Sequence, residues 1–216
     1  MPFRNVRQWP DEILKSVASS ASTEDIKLIS QDLIDTLKVV NGAGLAAPQV
    51  GISKSVFVID VSKFEIKNPD DNDDSPFLII ANPKILKFSE EIKWREACLS
   101  VPYSSSLVSR FKFITVEYDD IEGERKILNL FPPLSLAFQH ENDHLVGKTI
   151  LDRISKLSSS IIKRKIRKQS LKIERNDNLL EDGAKQKIGK NSKKNNLSVK
   201  EIKKRKINKK NNFKKK

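Results

Sequence analysis

Charge is divided so unevenly along this chain that only part of it is able to fold. Of its 216 residues, 41 are Lys or Arg and 28 are Asp or Glu. From Ile161 to the end there are 22 basic and 5 acidic residues, leaving 19 and 23 for residues 1–160. A mildly acidic body of net −4 therefore carries a tail of net +17, together the overall +13. From about Asn176 onward Lys and Asn dominate and apolar side chains thin out. Such a segment buries too little apolar surface to offset its chain entropy, so residues 176–216 are expected to be disordered.

Other features narrow the class of the body. Cys98 is the single cysteine. A disulfide framework within the chain is excluded, and a reducing compartment is expected. No run of about 18 apolar residues suggests a membrane span. The start, "MPFRNVRQWPDEIL", lacks the apolar core of a secretory signal. The expected location is the cytoplasm, most simply a bacterial one.

Periodicity sets the elements. After Ser22–Thr23, the residues Ile26, Ile29, Leu33, Leu37 and Val40 recur at steps of three or four, which predicts a capped amphipathic helix ended by Asn41–Gly42. "SVFVID" and "FLIIANPKIL" read as strands, the second ending at Asn82–Pro83. "FKFITVEYDDIEGERKILNL" reads as two strands about a turn at Asp119–Gly123. "PPLSLAFQHENDHLVG" has the proline start and glycine end of a helix. Residues 67–76, "KNPDDNDDSP", read as a solvated acidic loop. The body is thus α+β. Beyond it, Ile150, Ile154, Leu157, Ile161, Ile162 and Ile166 predict a basic amphipathic helix over residues 150–175. The expected division is a catalytic domain (1–149), that helix, and the tail (176–216).

The chemistry concentrates in "QHENDHLVG" (139–147), which holds the only two histidines. On a helix, positions i and i+4 share a face one turn apart. His140 and His144 therefore present two imidazoles to one point, with Glu141 one step from the first. This is the H-E-x-x-H arrangement of two metal ligands and a general base. Asp143 is placed to orient a ligand imidazole. A catalytic metal usually needs three protein ligands and one open position. No third histidine exists, and the acidic residues downstream, Glu174, Asp177 and Glu181, lie in the basic segment. Cys98, in "REACLSVP", is left as a ligand, a nucleophile beside a histidine, or a buried small hydrophobe.

Three ordered segments, "GAGLAAPQVG" (42–51), "EACLS" (96–100) and "QHENDHLVG" (139–147), resemble the G-x-G-L-A-A-x-Q, E-G-C-L-S and H-E-x-D-H motifs of peptide deformylases. The resemblance extends over about residues 3–168. It implies antiparallel β-sheets around a central helix that carries the histidines, followed by a C-terminal helix. It implies hydrolysis of the N-formyl group from the formylmethionine of nascent polypeptides, with release of formate. By motif match the metal ligands are Cys98, His140 and His144. Glu141 is the base, and the Gln49 side-chain amide and the Leu99 N–H stabilise the oxyanion. Gly42, Ala43, Gly44, Ala97 and Arg110 are matched to substrate contacts. The cofactor implied is Fe2+, with Ni2+, Co2+ or Zn2+ as substitutes.

One residue departs from the pattern, since Ala97 stands where the family has glycine. Alanine costs little if φ is negative and much if φ is positive. Two other functions follow if Ala97 spoils the site: a ribosome-associated protein of this fold with weak or no activity, or a hydrolase of another N-acyl peptide. The tail motifs "KRKIRK" and "KKRKINKK" fit non-specific phosphate contacts. Ribosomal RNA near the nascent chain is the polyanion the resemblance suggests. No membrane partner is expected, and the chain is expected to be a monomer.

Overall fold

The computed structural model describes residues 3–69 and 75–172. The tail from 176 and the centre of the acidic loop at 67–76 lie outside the described residues. Two compact units divide at Ile166/Arg167. In the second, the described residues 167–172 are helical.

The first unit is built on an antiparallel sheet of five strands, β1 (Gly44–Ala46), β2 (Val56–Asp60), β3 (Phe77–Cys98), β4 (Val101–Asp119) and β5 (Arg125–Leu130). They lie side by side in chain order, so each neighbour is the next strand and no crossover is needed. The α+β class stands, with the strands joined in one sheet.

Helix α1 (Thr23–Val40) starts in a capping box. Ser22 accepts from the Asp25 N–H, and the Asp25 carboxylate accepts from the Ser22 N–H. It ends at Asn41, whose left-handed φ of 52° stops the helix. The stripe Ile26, Ile29, Leu33 and Leu37 is buried, as its spacing predicts.

Strand alternation then distributes the core. On β2, Val56 and Val58 pack toward α1, whereas Phe57 and Ile59 face helix α2 (Leu134–Leu145). On β3, Ile79 and Ala81 join the first group, and Leu78 and Ile80 the second. A sheet buried on both faces explains why these strands read as unbroken apolar runs. Phe57 meets Phe138 of α2 edge-on, with ring centroids 5.2 Å apart. Each such fully buried side chain contributes about 1.5–3 kcal/mol, and together they fix α2 against the sheet.

Two expectations about extent are corrected. The strand from Phe77 does not end at Asn82–Pro83. Asn82 takes a left-handed φ of 47° at a register shift, and the strand continues to Cys98, paired with β4. The C-terminal helix does not begin at Ile150. Thr149 and Asp152 close a capping box around a short 3-10 turn, Ile150–Asp152. The α-helix starts at residue 156, with the Ser155 hydroxyl accepting from the Ser158 N–H. Ile150 and Ile166 are buried and Ile154 and Ile162 pack beside them, but Leu157 and Ile161 face solvent.

Candidate active site

Helix α2 carries His140 and His144 on one face, and the last residue of β3, Cys98, meets them. Ligand atoms of these three residues lie within 4.8 Å of one another. Cys98 Sγ is 3.3 Å from His144 Nε2. That is close to the separation of two ligands sharing one ion at roughly 2.0–2.3 Å.

Glu96 sets the tautomer of His140. Burial alone would raise its carboxyl, but the Arg110 guanidinium and the His140 ring hold it at about 2. An ionised carboxylate only accepts, so the contact of 2.8 Å is donated by His140 Nδ1–H. Nε2 is left facing the thiolate, and its lone pair becomes available to a metal that displaces its proton. The Cys98 thiol would likewise be raised by burial, but the charge of His144 and the hydrogen bond from His140 bring it down to about 5. A thiolate and an oriented imidazole are the forms that bind a divalent ion. The donor set fits a metal.

Glu141 is buried beside this group, and burial raises its carboxyl above the usual range. Its Oε2 has no hydrogen-bond partner among the described residues. A proton acceptor of raised basicity faces the cleft, as a general base requires. Gly44 makes room for it, because a Cβ there would lie 2.5 Å from Glu141 Oε1. Gln49 is fixed by its other end. Its Oε1 accepts from the Ala46 N–H at 2.8 Å, which turns Nε2 toward Ser100 Oγ at 3.2 Å and Cys98 Sγ at 3.8 Å. Gln49, Cys98, Leu99, His140 and Glu141 line one cleft of about 590 Å³. Gly42, Ala43, Gly44 and Ala97 line it too. Ala97 sits in β3 opposite Ser105 and is not among the positive-φ residues, so its methyl costs no backbone strain.

Two expected roles are corrected. Arg110 does not reach the cleft. It is 3% exposed, donates to both oxygens of Glu96 at 2.7 and 2.9 Å, and donates to Asp143 Oδ2 at 2.6 Å. Asp143 orients no imidazole, because its carboxylate is taken by Arg110 and Arg153. The imidazole is held instead by Glu96, to which sequence reasoning gave no role. Strand period offered a signal: Glu96 and Cys98 are two apart and point to one face.

A helix-borne pair of histidines, a thiolate and a buried base at a cleft of this size define a metal-dependent hydrolase of α+β fold. Comparison with known proteins narrows the class. Residues 3–160 match the polypeptide deformylase family. A peptide deformylase from Bartonella tribocorum is 36% identical over 173 residues, 79% of this chain and 94% of that protein. One from Pseudoalteromonas translucida is 36% identical over 79% of this chain and 98% of its own length. A crystal structure of a Legionella pneumophila peptide deformylase gives a TM-score of 0.70 at 32% identity, covering 81% of this chain and 99% of its own. This chain belongs to the peptide deformylase family. It is a metal-dependent hydrolase that removes the N-formyl group from nascent peptides.

Proposed function

We propose that Cys98, His140 and His144 hold one Fe2+, which Ni2+, Co2+ or Zn2+ can replace, and that Glu141 is the base of the reaction. The observation that carries this is the convergence of the chain's only cysteine and only two histidines beside a buried carboxylate with a free oxygen. When bound, the ion supplies a Lewis acid that polarises the formyl carbonyl and makes water more acidic. Glu141 takes the proton from the attacking water and delivers it to the amine nitrogen as the formyl C–N bond breaks. Formate and a free N-terminal methionine result. The Gln49 Nε2 donor and the Leu99 N–H stabilise the oxyanion.

The peptide runs along Gly42, Ala43 and Gly44 on one side and Ala97 on the other. Strand β1 is at the edge of the sheet, and its open side suits pairing with an extended peptide. A crystal structure of the relative from Acinetobacter baumannii, 31% identical with a TM-score of 0.62 and covering 71% of this chain and 99% of its own, has Met-Ala-Ser bound.

All the site residues come from one chain, consistent with a monomer. A free thiolate at Cys98 needs a reducing compartment, consistent with bacterial cytoplasm. The excess of 22 basic over 5 acidic residues from Ile161 onward supports ribosome association through RNA phosphates. Sedimentation with ribosomes at rising salt tests it: truncation after Gln169 is expected to weaken binding and flatten its salt slope.

The activity test is formate release from formyl-Met peptides by chain purified without oxygen and loaded with iron. Release well above a Glu141→Ala control is expected, with iron the most active metal. Equal release by the two chains would remove Glu141 from its role.

A further inference from the structure

Between Ala97 and Cys98 the β3–β4 ladder loses register. Cys98 pairs with Val101, but Ala97 pairs with Ser105. Pro102, Tyr103 and Ser104 are therefore bulged out, and bulges beside active sites re-aim side chains. Tyr103 takes a φ of 61°, which bulky side chains avoid. Such a conformation persists only where its surroundings over-determine it, and it is concentrated at ligand clamps.

Three groups fix it here. Pro102 locks its own φ just before. Ser104 Oγ donates to the Val101 carbonyl at 2.9 Å. Lys165 Nζ, on the helix that begins at residue 156, donates to the Tyr103 carbonyl at 2.6 Å. Tyr103 lines the same cleft as Ala97, borders a second pocket with Ile161, Ile162 and Lys165, and is 53% exposed. None of the steps above uses it. An exposed tyrosine on a backbone fixed at a cleft wall offers an aromatic face to a passing side chain.

We infer that Tyr103 is a specificity-determining residue, reading apolar side chains downstream of the formylated methionine, and that Lys165 is the positioning residue that aims it. This rests on the cleft being the peptide site. It gives the C-terminal helix a role in substrate choice.

The test uses the full-length, iron-loaded chain and two substrates, formyl-Met-Ala-Phe and formyl-Met-Ala-Gly. The wild-type chain is expected to favour the Phe peptide through KM. Tyr103→Gly keeps the backbone conformation without strain and removes the ring; the preference should fall about five- to tenfold, in KM rather than kcat. Lys165→Met should lower it in the same direction, and Lys165→Arg should restore it. A wild type without preference, or the same preference in Tyr103→Gly, overturns the role of Tyr103. An unchanged preference in Lys165→Met overturns that of Lys165. Titration with Met-Ala-Phe and Met-Ala-Gly reads the same ratio without turnover. Failure of the reaction itself is thereby separated from failure of this inference.

Discussion

The charged floor that lies behind the cleft and the rim that lines it are built on opposite principles. In the floor, Glu96, Arg110, Asp143 and Arg153 alternate in charge and hydrogen-bond in a chain that ties β3 and β4 to the histidine helix through its own Asp143. Arg110 and both carboxylates are buried there. The rim is made of Gly42, Ala43, Gly44, Ala97 and Tyr103, short of side chain or exposed, with one residue in a left-handed conformation. A floor of paired charges tolerates no loss of a member, because the partner left behind is a buried unpaired ion. A rim of small residues tolerates change that leaves its neighbours in place. The reacting groups are held by the first region and the peptide is chosen by the second.

Four changes break or sharpen that contrast. Glu141→Gln, between the regions, should lower kcat on formyl-Met peptides by about 10²–10⁴-fold while metal content is unchanged. Loss of metal together with activity would move Glu141 into the ligand set. Arg110→Met strikes the floor. It should cost about 3–5 kcal/mol in urea unfolding, since Glu96 and Asp143 are left unpaired. A cost near zero would mean that the floor is not held by its charges.

Gly44→Ala is the one rim change expected to act on chemistry. Its Cβ would press on the Glu141 carboxylate, and kcat should fall by about 10²-fold with metal retained. If KM alone rises, Gly44 serves the peptide and not the base. The smallest effect calibrates the floor with a carboxylate outside it. Asp120, buried at the β4–β5 turn, would be raised by burial, but Lys126 and the Glu124 and Glu122 N–H groups lower it. Its folded value lies below the ordinary 3.8, so its contribution is present above that pH and is lost as pH falls below it. The stability gap between wild type and Asp120→Asn should therefore narrow in acid. A gap that widened would reverse the sign of the shift.

The same contrast decides what the sequence could disclose. Helix α1, the β4–β5 turn and the cysteine–histidine group were legible because each rests on local period or on an ordered motif. The floor was not. Arg110 was assigned to the cleft by motif match, and its true partners stand 14 and 33 positions away, which no local pattern reports. The length of β3 was hidden too. From Leu86 to Arg95 most of its residues are exposed on both faces, so no alternation marks it; the ladder with β4 holds it. At Ala97 the sequence posed a question of φ that only the backbone could answer.

The central claim is that one divalent ion is held by Cys98, His140 and His144. Metal content per chain, measured after oxygen-free purification and dialysis, tests it most directly. About one equivalent in the wild type, and less than about half in both Cys98→Ala and His144→Ala, is the predicted result. Full metal content in either variant, or formate release undiminished by its loss, would contradict it.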